Sequence, residues 1–213
     1  MNRGRREVLR HFSLLLTLPL SAAVHGAAAA RRIVVLGDSL SAEYGLARGT
    51  GWVALMDKRL SAEIRGYEVV NASISGETTS GGRSRLPRLL KEQAPAVLII
   101  ELGANDMLRG LPLASSRDNL LAMVRAAKAA GAKVLLVGMQ VPPNFGRAYV
   151  GSFSAMYAEL ARSEKVGLVP FLLAGVADKA DAADWFQADR IHPLARAHPI
   201  ILDNVWPALK KLL

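Results

Sequence analysis

Short, continuously apolar runs alternate with longer stretches in which apolar residues recur every three or four positions. The runs predict strands at Arg32–Gly37, Tyr67–Ala72, Ala96–Leu102, Lys133–Gly138 and, less markedly, Gly167–Phe171. "AVLII" and "KVLLV" show no polar alternation, the pattern of strands covered on both faces. The amphipathic stretches predict helices near Gly51–Ile64, Gly82–Gln93, Ser116–Ala130 and Gly151–Lys165, with a last one from about Leu194 to Leu213. In "DNLLAMVRAAKAA" the apolar face runs through Leu120, Val124 and Ala127, and Gly131 is a fitting stop. Five repeats of strand then helix predict an α/β fold, a central parallel sheet of about five strands with helices on both faces. Ligands of such sheets bind beyond the carboxyl ends of the strands, so chemistry is sought just after each strand.

The N-terminal thirty residues break this pattern. Arg3, Arg5, Arg6 and Arg10 precede a short apolar segment interrupted by Pro19, then "HGAAAA" offers small residues suited to cleavage. The apolar part is shorter than the roughly 20 residues that span a bilayer, so residues 1–30 are expected to be a removable signal peptide. The Arg5-Arg6 pair leaves a general secretory and a twin-arginine route both open. The expected location is therefore periplasmic or secreted, and residues 31–213 are expected to form one domain.

Setting that segment aside leaves 23 of the 27 basic and 17 of the 18 acidic side chains, a net charge of +6 against +9 for the whole chain. These charges are scattered and not interleaved with aromatics, so no nucleic-acid partner is expected. The chain has no cysteine, which excludes disulfides, a thiol nucleophile and thiolate metal sites. The acids Asp178, Asp181, Asp184 and Asp189 lack the tight spacing and turn glycine of a calcium loop, so no metal is expected. "SGETTSGG" lacks the lysine of a phosphate-binding loop.

Chemistry-bearing residues do follow the strands. Ser39 comes after the first, Gly76 after the second and Asn105 after the third, while Asp189 and His192 precede the last helix. Ser39 alone reads equally as a nucleophile or as a helix cap. The histidines sharpen the choice, because beyond the N-terminal segment only His192 and His198 remain as neutral-pH bases. His192 has Asp189 three residues before it; His198 has no acid at similar spacing and reads as a packed or surface residue. Ser39 as nucleophile, His192 as base and Asp189 as its orienting acid make a triad. The backbone N–H of Ser39, the unshielded N–H of Gly76 and the Asn105 amide would supply an oxyanion hole. The G-x-S-x-G elbow of α/β-hydrolases is missing, since residues 37–41 read Gly-Asp-Ser-Leu-Ser.

"GDSLSAEYG", "NASISGET", "GAND" and "DRIHP" together, in this order, resemble the four blocks of the SGNH (GDSL-type) hydrolase family. The chain is most similar to its bacterial thioesterase I / protease I / lysophospholipase L1 branch, through "ELGANDMLRG" and "FSAMY" as well. The resemblance implies a flavodoxin-like three-layer α/β/α sandwich. It also implies an exported, cofactor-free monomer that hydrolyses acyl esters and thioesters, lysophospholipids and acyl-CoA among them. By the same resemblance Ser39, Asp189 and His192 are the triad, and Gly76 and Asn105 complete the oxyanion hole. Three departures bear on specificity: Glu43 brings a charge near the site mouth, Ala104 stands where a glycine is common, and Arg190 separates the triad acid from its base.

An acyl groove is expected from Met107, Leu108, Leu111, Pro142, Phe145 and Tyr149. The substrate is expected to be a small, lipid-like acyl ester or thioester, with at most peripheral membrane contact. A carbohydrate O-acetylesterase is the alternative within the same chemistry. A non-catalytic flavodoxin-like binding module is the alternative outside it, and it predicts a missing triad member where none is missing.

Overall fold

A computed structural model describes residues 30–213. The expected signal peptide therefore lies, apart from Ala30, outside the described residues. Five parallel strands, β1 (Arg31–Gly37), β2 (Tyr67–Asn71), β3 (Val97–Glu101), β4 (Lys133–Val137) and β5 (Gly167–Val169), pair in the order β2-β1-β3-β4-β5. The stretches Ile33–Leu36, Leu98–Ile100 and Leu135–Val137 are wholly buried, as their unbroken apolar character requires. Each such side chain contributes on the order of 1.5–3 kcal/mol of burial.

Helices α1 (Trp52–Glu63) and α6 (His198–Lys210) pack together on one side of the sheet. Helices α2 (Thr79–Gln93), α4 (Leu113–Ala129) and α5 (Arg147–Glu164) pack in a row on the other, and a short α3 (Ala104–Leu108) precedes α4. This is the three-layer α/β/α arrangement with flavodoxin-like strand order.

The strands fall within two residues of the expected limits, but four helix starts do not; α4, for one, begins at Leu113, three residues before the expected Ser116. Helix α2 begins at Thr79, capped by the Thr78 hydroxyl accepting from the Gly81 N–H at 3.2 Å. Gly82 lies inside the helix, at a position where a Cβ would come within 2.4 Å of Leu102 Cδ1. It is a packing glycine, not a helix boundary. Helix α5 starts four residues before Gly151, at Arg147. The last helix starts at His198, after a 3-10 turn over Ala195–Ala197.

The chain leaves β1 outward to β2, then crosses back to β3, so the connections beyond β1 and β3 diverge. That opens a crevice at the carboxyl ends of these two central strands.

Candidate active site

Strand β1 ends at Gly37, where a Cβ would lie 2.8 Å from the Ser41 side chain and 2.9 Å from Glu101 Oε2. Only glycine lets the chain turn this tightly against the end of β3. Residues 39–45 then form turns, and α1 begins only at Trp52, so Ser39 has no helix to cap. Its hydroxyl instead meets His192 Nε2 at 2.8 Å. His192 Nδ1 meets Asp189 Oδ2 at 2.7 Å.

Asp189 sits on a loop with little packing, yet its charge is well held. Its Oδ1 accepts from the backbone N–H groups of His192 at 3.0 Å and Ile191 at 2.9 Å. These donors, the His192 backbone first, bring its pKa down to about 2. The loop itself is tied by Gln187. Its N–H donates to the His192 carbonyl at 2.8 Å, and its side-chain amide donates to the carbonyls of Tyr44 at 2.9 Å and Pro193 at 3.2 Å. Gln187 thus joins the base loop to the nucleophile loop. The Tyr44 ring lies over the imidazole, with centroids 4.3 Å apart.

Gly76 has φ +78, the left-handed region where a Cβ is strained. Its carbonyl accepts from Arg109 Nη2 at 2.7 Å. Among the described residues, neither the Gly76 nor the Ser39 N–H donates to another group. The Asn105 amide, in contrast, is engaged twice. Nδ2 donates to Asp38 Oδ2 at 2.9 Å and to the Glu77 carbonyl at 3.0 Å. To serve a developing oxyanion it must share or exchange one of these bonds.

Beneath the nucleophile lies a buried carboxyl pair that the sequence reading did not single out. Asp38 is fully buried, with Oδ1 accepting from the Leu40 N–H at 3.0 Å. Glu101, also fully buried, accepts from the Asp38 N–H at 3.3 Å and from the Ser41 hydroxyl at 2.7 Å. Its Oε1 has no partner among the described residues. Burial raises Asp38 to about 6, and burial beside Asp38 pushes Glu101 well above the ordinary carboxylate range. The sequence signal was available: Glu101 is the one charged residue closing the apolar run "VLIIE".

A cavity of about 680 Å³ opens beside Ser39 and His192. Met107, Leu108 and Pro142 line it as expected from sequence. Leu111, Phe145 and Tyr149 do not. The Phe145 and Tyr149 rings stack on each other at 6.3 Å, and Tyr149 packs in turn against the buried Phe153 at 6.2 Å. Further apolar lining, unforeseen, comes from Phe171, Leu173, Ala177, Ala182 and Phe186.

The three departures also find places. Glu43 adopts φ +59 and turns its carboxylate to the N–H groups of Gly49 and Gly51, so its charge serves the start of α1 and not the site mouth. Ala104 opens α3 in ordinary helical conformation, while Gly103 carries the unusual φ of +122. Arg190, at φ +58, lies on the cavity rim. His198 does not approach Ser39. Its Nδ1 accepts from the Trp52 N–H at 3.0 Å at the start of α1.

A GDSL-like lipase/acylhydrolase family model matches residues 35–200. The chain is 53% identical over 186 residues to the esterase TesA of Pseudomonas aeruginosa, covering 87% of this chain and 91% of that one. It is 41% identical, over 87% of this chain and 86% of the other, to thioesterase 1/protease 1/lysophospholipase L1 of Escherichia coli strain K12. A crystal structure of TesA superposes with a TM-score of 0.82 at 52% identity, over 86% of this chain and all of that one. Sequence blocks, strand order and relatives converge, and the chain belongs to the GDSL-like lipase/acylhydrolase family.

Proposed function

We propose that this protein hydrolyses acyl esters and thioesters through an acyl-enzyme formed on Ser39. The observation that carries the reading is the unbroken chain from Ser39 Oγ through His192 to Asp189, at 2.8 and 2.7 Å.

Ser39 Oγ attacks the acyl carbonyl while His192 Nε2 takes its proton. Negative charge moves onto the carbonyl oxygen, which the Ser39 and Gly76 N–H groups and the Asn105 amide would bind. Asp189 holds the Nδ1–H tautomer and stabilises the imidazolium. The carbonyl re-forms, the alcohol or thiol departs with the proton from His192, and the acyl group stays on Ser39. Water, deprotonated by the same imidazole, then releases the carboxylic acid and restores the serine.

The apolar lining suits an acyl chain, with Met107, Leu108, Pro142, Phe171, Leu173 and Phe186 all contributing to it. A volume near 680 Å³ is within the usual range for ligands of drug size. This favours fatty acyl esters, lysophospholipids and acyl thioesters over acetylated sugars. We further propose that the protein acts as a monomer and is exported by residues 1–30 to the periplasm or medium.

An acyl series of p-nitrophenyl esters, from acetate through octanoate to palmitate, tests the reading on the parent chain and on Ser39→Ala. Turnover that extends to the longer chains and vanishes in the variant is expected. Turnover of acetate alone would favour sugar deacetylation, and activity surviving in Ser39→Ala would overturn the mechanism.

A further inference from the structure

The large apolar side chains left exposed among the described residues are Tyr44, Ile74, Leu108, Leu111, Phe145 and Ile191, between 37% and 51% exposed. Single exposed hydrophobics are ordinary on a protein surface. Their distribution here is not. Tyr44 follows β1, Ile74 follows β2, Leu108 and Leu111 follow β3, Phe145 follows β4 and Ile191 follows β5. Every one stands on the carboxyl edge of the sheet, and none on the opposite edge or on the outer helix faces. Three of them line the catalytic cavity, and the others stand one to three residues from Ser75, Leu108 and Pro142, which line it too.

Cations accompany this apolar collar. Arg109 adjoins Leu108, Arg190 adjoins Ile191, and Arg147 lies two residues beyond Phe145. All three are exposed, and among the described residues none is in a salt bridge. Most carboxylates on the same edge are engaged within the chain, Asp181 with the Trp185 N–H among them, and exposed Asp184 beside the cavity-lining Ala183 is the one without a partner among the described residues. Glu43 receives Gly49 and Gly51, Glu77 pairs with Arg85, Asp178 receives the Gly175 N–H, and Asp189 holds His192. No helix among the described residues is long and apolar enough to cross a membrane.

Resting on the acyl-hydrolase reading, we propose that this edge is a docking face for anionic phospholipid surfaces. The apolar collar would enter the headgroup boundary and the three arginines would meet lipid phosphates, the two attractions that hold a protein at an interface. The cavity mouth lies inside the collar, so an acyl chain would pass from lipid to Ser39 without crossing water. Docking and hydrolysis are then separable, because Leu111, Phe145 and Arg147 stand outside the cavity wall.

The test is co-sedimentation of the full chain with vesicles of phosphatidylcholine, alone or mixed with phosphatidylglycerol, using Ser39→Ala to prevent turnover. Leu111→Ser/Phe145→Ser/Arg147→Glu and Arg147→Glu alone are compared in that background. All chains share one N-terminus, so residues 1–29 contribute equally. The mixed vesicles should bind the unaltered face more tightly than phosphatidylcholine does, and binding should weaken between about 0.05 M and about 0.5 M salt. The triple variant should bind roughly tenfold or more weakly, and Arg147→Glu severalfold. With Ser39 restored, the triple variant should keep its p-nitrophenyl acetate rate and lose rate on lysophospholipid presented in mixed vesicles. Equal vesicle binding by all chains would overturn the docking face, as would a face that instead drives self-association lost in the triple variant. A parent chain inert toward soluble esters would overturn the hydrolase reading instead, whatever the vesicles show.

Discussion

Two aspartates serve the same nucleophile, one through its base and one next to it in sequence, and their surroundings drive them in opposite directions. Asp189 stands on an exposed loop, takes two backbone N–H groups and the imidazole, and is held at about 2. Asp38 lies beneath Ser39, fully enclosed and beside a second carboxyl, and is raised to about 6. Exposure alone would leave both near the ordinary value. Donors win at Asp189, whereas at Asp38 burial outweighs the Leu40 N–H and the Asn105 amide. One region therefore supplies a fixed negative charge to the base. The other supplies a rigid floor that sets the turn carrying Ser39 and aims Asn105.

Breaking the exposed side should have the largest effect. Asp189→Asn keeps an oxygen for the Ile191 and His192 N–H groups but removes the charge facing the imidazolium. A loss of kcat on the order of 10⁴ is expected from steady-state kinetics, as for other triads lacking their acid. A loss below about tenfold would mean that Asp189 is no more than a loop tie.

Asn105 links the two regions, so its removal ranks second. Asn105→Ala should lower kcat by roughly 10²–10³ through the lost oxyanion donor. Because both amide hydrogens are already engaged, binding should change less than turnover. A drop confined to KM would assign Asn105 to substrate binding instead.

The buried side should show itself in stability more than in rate. Glu101 stays protonated in the fold above the pH at which it ionises in the unfolded chain, ordinarily 4.5. The folded state then holds the extra proton, so stability falls as pH rises from about 4.5 toward the raised folded value. The slope is about 1.4 kcal/mol per pH unit for each such proton. Glu101→Gln removes that group, so its unfolding free energy in urea should decline less over this range than the parent's. Parallel profiles would contradict a neutral Glu101.

The smallest effect on rate is expected at the second histidine. His198→Ala should leave kcat within about twofold, since the ring is far from any reacting atom, yet cost roughly 1–3 kcal/mol through the orphaned Trp52 N–H. Burial lowers the His198 pKa from its ordinary 6.5. The unfolded chain then binds the extra proton, so the parent loses stability as pH falls below about 6.5 and the gap to the variant should narrow there. A large loss of kcat would reopen the choice of base.

The sheet was legible because strands buried on both faces must be apolar throughout, as "AVLII" and "KVLLV" are. Helix starts were less so. Gly82 resembles a boundary in one dimension and is a close-packing position in three. The triad and oxyanion candidates stood out because strand ends are where such a fold can expose them. The further apolar lining did not, since residues 171–186 carry no period and reach the site only through folding. For the same reason Leu111, Phe145 and Tyr149, neighbours of lining residues in sequence, were expected on a wall they do not form. Asp38 and Glu101 meet across 63 positions, a proximity only the β1–β3 pairing creates.

The central claim is a covalent intermediate on Ser39, and the most direct measurement is intact and peptide mass spectrometry after acid quench of turnover with p-nitrophenyl octanoate. An octanoyl adduct on the peptide bearing Ser39, absent from Ser39→Ala, is the predicted result. An adduct on another residue, or undiminished turnover by Ser39→Ala, would contradict the account.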